Sequence, residues 1–210
     1  MACVLLAGAD LVLLHALPAP QLHATTGATI AYRPWNFLSE LVRTDYGPLM
    51  TACFFLLGVG CGAAAWALRE HEQRRASALL AVASVALLLL GFFPTDLADL
   101  TTDAYSCGLP TRPEPCTFVG RIHNPLSILI FVPLLLAIVS LSRQRVPFLT
   151  RLGQVCGALM LCGSVGVALY LWSIGWHGRW WTGLLQRSLV FPALLWLLGL
   201  LGWLAKKSPA

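Results

Sequence analysis

Charge is what this chain has least of. Of its 210 residues, 11% are Asp, Glu, Lys or Arg, 58% are hydrophobic, and the mean hydropathy is +0.75. A soluble domain is nearer a quarter charged and half apolar, so the deficit excludes an ordinary water-soluble globule and points to a membrane class. Long polar stretches are missing too. No segment between the apolar runs could build a core of its own, which leaves one domain over residues 1–210. A basic stripe with interleaved aromatics is also absent. The net charge of +5 therefore speaks for anionic lipid headgroups and against nucleic acid. Neither Cys-x-x-Cys nor His-x-x-x-His occurs, so no zinc-like spacing is present.

What the chain has is apolar length. Six runs stand out, at about 2–17, 48–68, 77–94, 124–142, 152–174 and 188–205. A spanning helix needs about 20 mostly apolar residues, within a range of about 17–25. Hydrocarbon forces every backbone amide to pair internally, so helices follow. The runs are continuous and do not alternate as barrel strands do. The expectation is an all-α bundle of six transmembrane helices. The first run is the weakest, being short and carrying Asp10 and His15. A signal peptide would be short as well, but a basic leading region is missing and Asp10 interrupts the run, so a retained helix is expected.

Orientation follows from Lys and Arg. Arg69, Arg74, Arg75, Arg143, Arg145, Arg151, Lys206 and Lys207 fall in two tight turns and the tail; the other six, Arg33, Arg43, Arg112, Arg121, Arg179 and Arg187, fall in three longer linkers. The positive-inside rule puts the tight turns and both termini in the cytoplasm and the longer linkers outside, in a plasma (inner) membrane. In the first linker, Trp35, Phe37, Leu38, Leu41 and Val42 among polar residues suggest a short amphipathic segment at the interface. Cys107 and Cys116 lie in the second, around a Pro-rich stretch, and are placed to form a disulfide outside the cytosol. The other five Cys sit in helices as small packing residues. Gly58, Gly60 and Gly62, and Gly157, Gly163 and Gly166, suit close helix contact, first within the chain and second in a homo-oligomer. Pro48, Pro125 and Pro192 fall near helix starts, where proline is tolerated, and Pro133 falls mid-span, where it should kink the fourth helix.

The three outer linkers bring acids, His and Arg to one depth. Ionisable groups there are costly unless paired. Asp96–Arg121 or Glu40–Arg187 could be clasps that pin loops to the bundle. Equally, converging acids and bases could move protons. Glu40, Asp96 and His123 are then the catalytic candidates. Ser39, Asp99, Asn124, His177, Trp181 and Arg187 are the ligand-binding ones, with Arg187 an anchor for phosphate or carboxylate. The Trp-rich segment WHGRWW also fits an interfacial belt.

The segments FLSEL, FPTD, GRIHN and GLLQR, in that order on six helices, resemble the domain-of-unknown-function 998 family of small polytopic, mostly bacterial membrane proteins. The resemblance covers nearly the whole chain. It places Ser39 and Glu40, then Asp96, His123 and Arg187, on the family's elements. Leu38 departs from the usual Ile, and Glu40 stands where Asp is common. The resemblance implies positions and no activity. Zinc would need about three ligands, and only His123 and His177 with Asp96 or Asp99 are placed for it. A haem would need His15 and His123 at matched depth. No cofactor and no metal are expected. The reading is a membrane protein whose outer site binds a lipid-like or isoprenoid-like amphipath among the membrane lipids, with metal-free acid–base turnover as an extension. The alternatives are non-enzymatic lipid transport or an accessory role in a membrane complex, and a zinc-dependent intramembrane lipid hydrolase.

Overall fold

The computed structural model describes residues 1–23, 29–32, 37–96, 117–143, 146–173 and 182–207. Each apolar run becomes an α-helix: α1 Ala2–Ala16, α2 Gly47–Glu70, α3 Arg74–Leu90, α4 Phe118–Ser142, α5 Pro147–Ser173 and α6 Thr182–Lys207. Each packs on its neighbour in sequence, and α6 closes the bundle against α1, α2 and α4. Apolar side chains also point outward, as at Val12, Ile128 and Val155, so the surface resembles the core and suits lipid. Four helices are long and apolar enough to cross a membrane: Gly47–Glu70, Phe118–Ser142, Pro147–Leu169 and Gly183–Lys207. This is a membrane-type helical protein. With 15 and 17 residues, α1 and α3 are shorter, at about 22 and 26 Å by the helical rise.

Two helices start earlier than hydropathy indicates. α4 begins six residues before residue 124 and α6 six before residue 188. Their first turns carry Arg121, His123 and Asn124, and Gln186 and Arg187. These polar side chains lower the hydropathy without breaking the helix, because several turn inward to partners. Pro125 and Pro192 therefore lie inside helices, not in first turns, and α4 runs unbroken through Pro125 and Pro133. Pro48 stays in the first turn of α2.

The first linker departs from an all-α fold. Strands β1 Gln21–His23 and β2 Thr29–Ala31 form an antiparallel pair, with Leu22 opposite Ile30, and Leu22 also bridges Thr44. Three residues are too few to show a period of two. Residues Leu38–Arg43, expected as an amphipathic piece at the interface, form a 3-10 helix with Leu38, Ser39, Glu40 and Leu41 all buried. It docks on α2 and α6, so the segment belongs to the bundle.

Small residues set the helix spacing. Ser77 and Ser84 of α3 donate to the carbonyls of Ala65 and Gly58 on α2, both at 2.7 Å. A Cβ on Gly60 would overlap Val4 of α1, and one on Gly163 would overlap Ser188 of α6. These glycines are used up inside the monomer.

Gly60→Val should push α1 off α2 and lower stability by about 1–3 kcal/mol, read as a lower thermal midpoint in nanodiscs. Gly202→Ala is the control, since nothing lies within 4 Å of a Cβ there. Equal melting of the two variants would contradict the packing described.

Candidate ligand-binding site

The C-terminal ends of α1 and α3, the 3-10 helix, and the first turns of α2, α4 and α6 share one end of the bundle. The polar residues gather there in two clusters. The first is built on Asp96, which is 3% exposed. Arg43 donates from Nη2 to its Oδ1 at 3.1 Å and from Nε to the Thr95 carbonyl at 2.7 Å. The Thr117 amide donates to Oδ2 at 2.8 Å, and the Thr117 hydroxyl lies 2.9 and 2.8 Å from the two carboxylate oxygens. Thr117 caps α4 by accepting from the Gly120 amide at 3.2 Å. The carboxylate thus sits where the positive end of the helix dipole favours it. A Cβ on Gly120 would occupy that carboxylate's place. His123 is buried, and its Nδ1 lies 2.8 Å from the Phe93 carbonyl. A carbonyl only accepts, so that bond fixes a proton on Nδ1. Asp96 and His123 both tie the end of α3 to the start of α4. The partner of Asp96 is Arg43, not the expected Arg121, which is exposed.

The second cluster is built on Arg187, buried in α6. Its Nε donates to His15 Nε2 at 3.0 Å, and its Nη2 donates to the Tyr32 hydroxyl at 2.6 Å. His15 Nδ1 is 2.7 Å from the Leu11 carbonyl. The ring therefore donates from Nδ1 and accepts at Nε2, which is the neutral tautomer. Next to Arg187, Gln186 accepts from the Leu38 amide through Oε1 at 2.5 Å. Glu40 is 1% exposed and close enough to act on Tyr32. Burial pushes the Tyr32 phenol up to about 12, with Arg187 pulling it down and Glu40 pushing it further up. Arg187 thus ties α6 to α1 and to the strand-bearing linker.

Beneath the clusters lies a cavity of about 70 Å³ between α1, α2, α3, α4 and α6. Three polar residues line it, Ser39, Ser127 and Gln186; the rest of the lining is apolar, including Met50, Cys53, Phe54, Phe131 and Leu197. Glu40, Asp96, His123 and Arg187 are not in that lining, although the chain neighbours of two of them are. Asn124 is half-buried on α4. Asp99, His177, Trp181, Cys107 and Cys116 lie outside the described residues. Sequence reading did not single out Tyr32 or Thr117, and it placed Arg43 and Gln186 among the polar residues of the outer linkers without assigning either a role. Pairs such as Arg43 with Asp96, or Arg187 with His15, are too far apart in sequence to leave a local signal.

The family model described as "Protein of unknown function (DUF998)" matches residues 21–203. No curated protein matches the chain, and no solved structure does.

The raised Tyr32 value means that the fold favours the neutral phenol. Its contribution should be whole below the ordinary tyrosine value of about 10 and be lost as pH climbs through about 12. A phenolate absorbance titration, wild type minus Tyr32→Phe, should show that midpoint; a midpoint at the ordinary value would contradict the burial. Tyr32→Phe should also cost about 1–3 kcal/mol by leaving an Arg187 donor without its acceptor. At the other cluster, Gly120→Ala and Asp96→Asn should each destabilise by about 2 kcal/mol or more. Together they should cost much less than the sum, since both undo one contact. Additive melting shifts would show that the glycine does not serve the carboxylate.

Proposed function

This chain belongs to the DUF998 family, and on that premise we propose that it is a six-span plasma-membrane protein that binds a lipid-like or isoprenoid-like amphipath at its non-cytoplasmic end. The cavity of about 70 Å³ takes only the part of the tail nearest the head. The polar head rests on the collar of Ser39 and Gln186, with Arg187 and Glu40 behind it. The observation that supports the reading is the cavity itself: an apolar interior that starts at the end of the bundle where Glu40, Asp96, His123 and Arg187 are buried. Pockets of this kind, apolar with a few placed polar groups, are the usual form of a small-molecule site.

Orientation is supported by the opposite end. Arg69, Arg74, Arg75, Arg143, Arg151, Lys206 and Lys207 all fall at helix ends away from the collar, which suits a cytoplasmic face. α1 and α3 complete the six crossings, α3 by extending through the apolar Gly91–Phe93 and α1 by packing along α2. Binding or carriage of the ligand, without turnover, is the reading the hydrogen bonds favour. A general acid or base must reach the proton it moves, while Asp96 and His123 are engaged in joining α3 to α4.

Native mass spectrometry of the protein released from nanodiscs tests this. Wild type should carry one co-purified amphipath per chain. Ala193→Phe, which fills the cavity, should lose it while keeping its helical content. An empty wild type, or equal loading of the two, would remove the proposal.

A further inference from the structure

We infer that the outward-facing groove between α3 and α4 is a phospholipid site, with an acyl chain in the groove and the phosphate on Arg121. This site is separate from the cavity of the proposed amphipath, since the two share no lining residue.

The groove has a volume of about 360 Å³, within the range of about 300–1,000 Å³ usual for small-molecule sites. Its α3 wall is built from the small side chains Ala81, Val82, Val85 and Ala86, and Leu126 and Leu129 of α4 stand opposite. Every lining residue is apolar, and Val82, Val85 and Leu129 are exposed. In a bilayer such a dent is filled by hydrocarbon, because an empty space beside a packed wall forfeits dispersion contacts.

Arg121 supplies the charge. The partner it was expected to have, Asp96, is held by Arg43 instead. Arg121 is exposed near the start of α4 and has no hydrogen bond or ion pair among the described residues. A cation at the rim of hydrocarbon is costly unless paired. Its long stem lets the guanidinium reach the headgroup level, and the planar fork matches a phosphate.

Depth agrees. Leu126 and Leu129 follow Arg121 by five and eight residues, about 8 and 12 Å along the helix. With Arg121 at the phosphates, the groove falls within the hydrocarbon of the same leaflet, which is about 15 Å deep. Arg121, Pro125 and Leu129 are joined by steps of four and are all exposed, so the head and chain of one lipid can lie along neighbouring turns. A second copy docked here by two-fold symmetry would bring Arg121 near its mate, like charge toward like charge. That favours a lipid as the occupant.

The test is a titration of delipidated full-length protein in detergent with phosphatidylglycerol, read by native mass spectrometry. It is run in wild type and again with Ala193→Phe, which fills the cavity and leaves the groove intact. Both should bind one phosphatidylglycerol, and should bind it more tightly than phosphatidylcholine with the same chains, whose choline offsets the phosphate charge. Arg121→Gln should weaken binding about fivefold. Val85→Trp, which fills the groove from an exposed position, should abolish it with helical content unchanged. Binding as tight in either of these two variants as in wild type overturns the site. So does loss of the lipid on Ala193→Phe, which would place it in the cavity. Competition by glycerol 3-phosphate, the head without chains, would show an anion site that does not use the groove. A dimer that Val85→Trp dissolves would show a second copy there. Either result overturns the inference as well.

Discussion

A carboxylate at the lip of a hydrocarbon bundle can be buried only if donors surround it. Asp96 meets that condition with three groups from two places: Arg43 on the 3-10 helix, and the amide and hydroxyl of Thr117 at the start of α4. No single element could supply them. The polar end therefore assembles as a unit or not at all. α3 must end where it does, α4 must begin at Thr117, and the linker after α1 must fold back to bring Arg43 in. Gly120 is the steric concession that lets the carboxylate reach the helix start. Removing one member leaves others buried without partners, and that is the expensive outcome.

The second cluster uses different electrostatics for a similar end. Arg187 donates to two neutral acceptors, His15 and Tyr32, and the buried Glu40 is close enough to act on the same phenol. The cavity begins next to this cluster and stays apolar below. Polar and apolar demands are thus separated along one axis, as an amphipath separates them in its own structure.

Much of the frame was legible in the sequence, and the reason is solvent. Hydropathy reports what hydrocarbon selects, so all six α-helices could be read. The starts of α4 and α6 could not, because Arg121, His123, Gln186 and Arg187 sit in helical turns that face protein or the rim and look like linker to any hydropathy window. The strand pair around Leu22 was too short to show alternation. Partner choice was the least legible level. Asp96 had several arginines within plausible reach, and only the tertiary arrangement selects Arg43 over Arg121. Tyr32 and Thr117 carry no charge and no motif, so nothing in the chain marks them until their partners arrive.

Gln186 and Arg187 are consecutive in α6, yet they serve different neighbours. One faces the cavity and the 3-10 helix; the other grips α1 and the strand-bearing linker. The start of α6 is thereby moored on two sides at once, to the 3-10 helix through one residue and to α1 and the strand-bearing linker through the next.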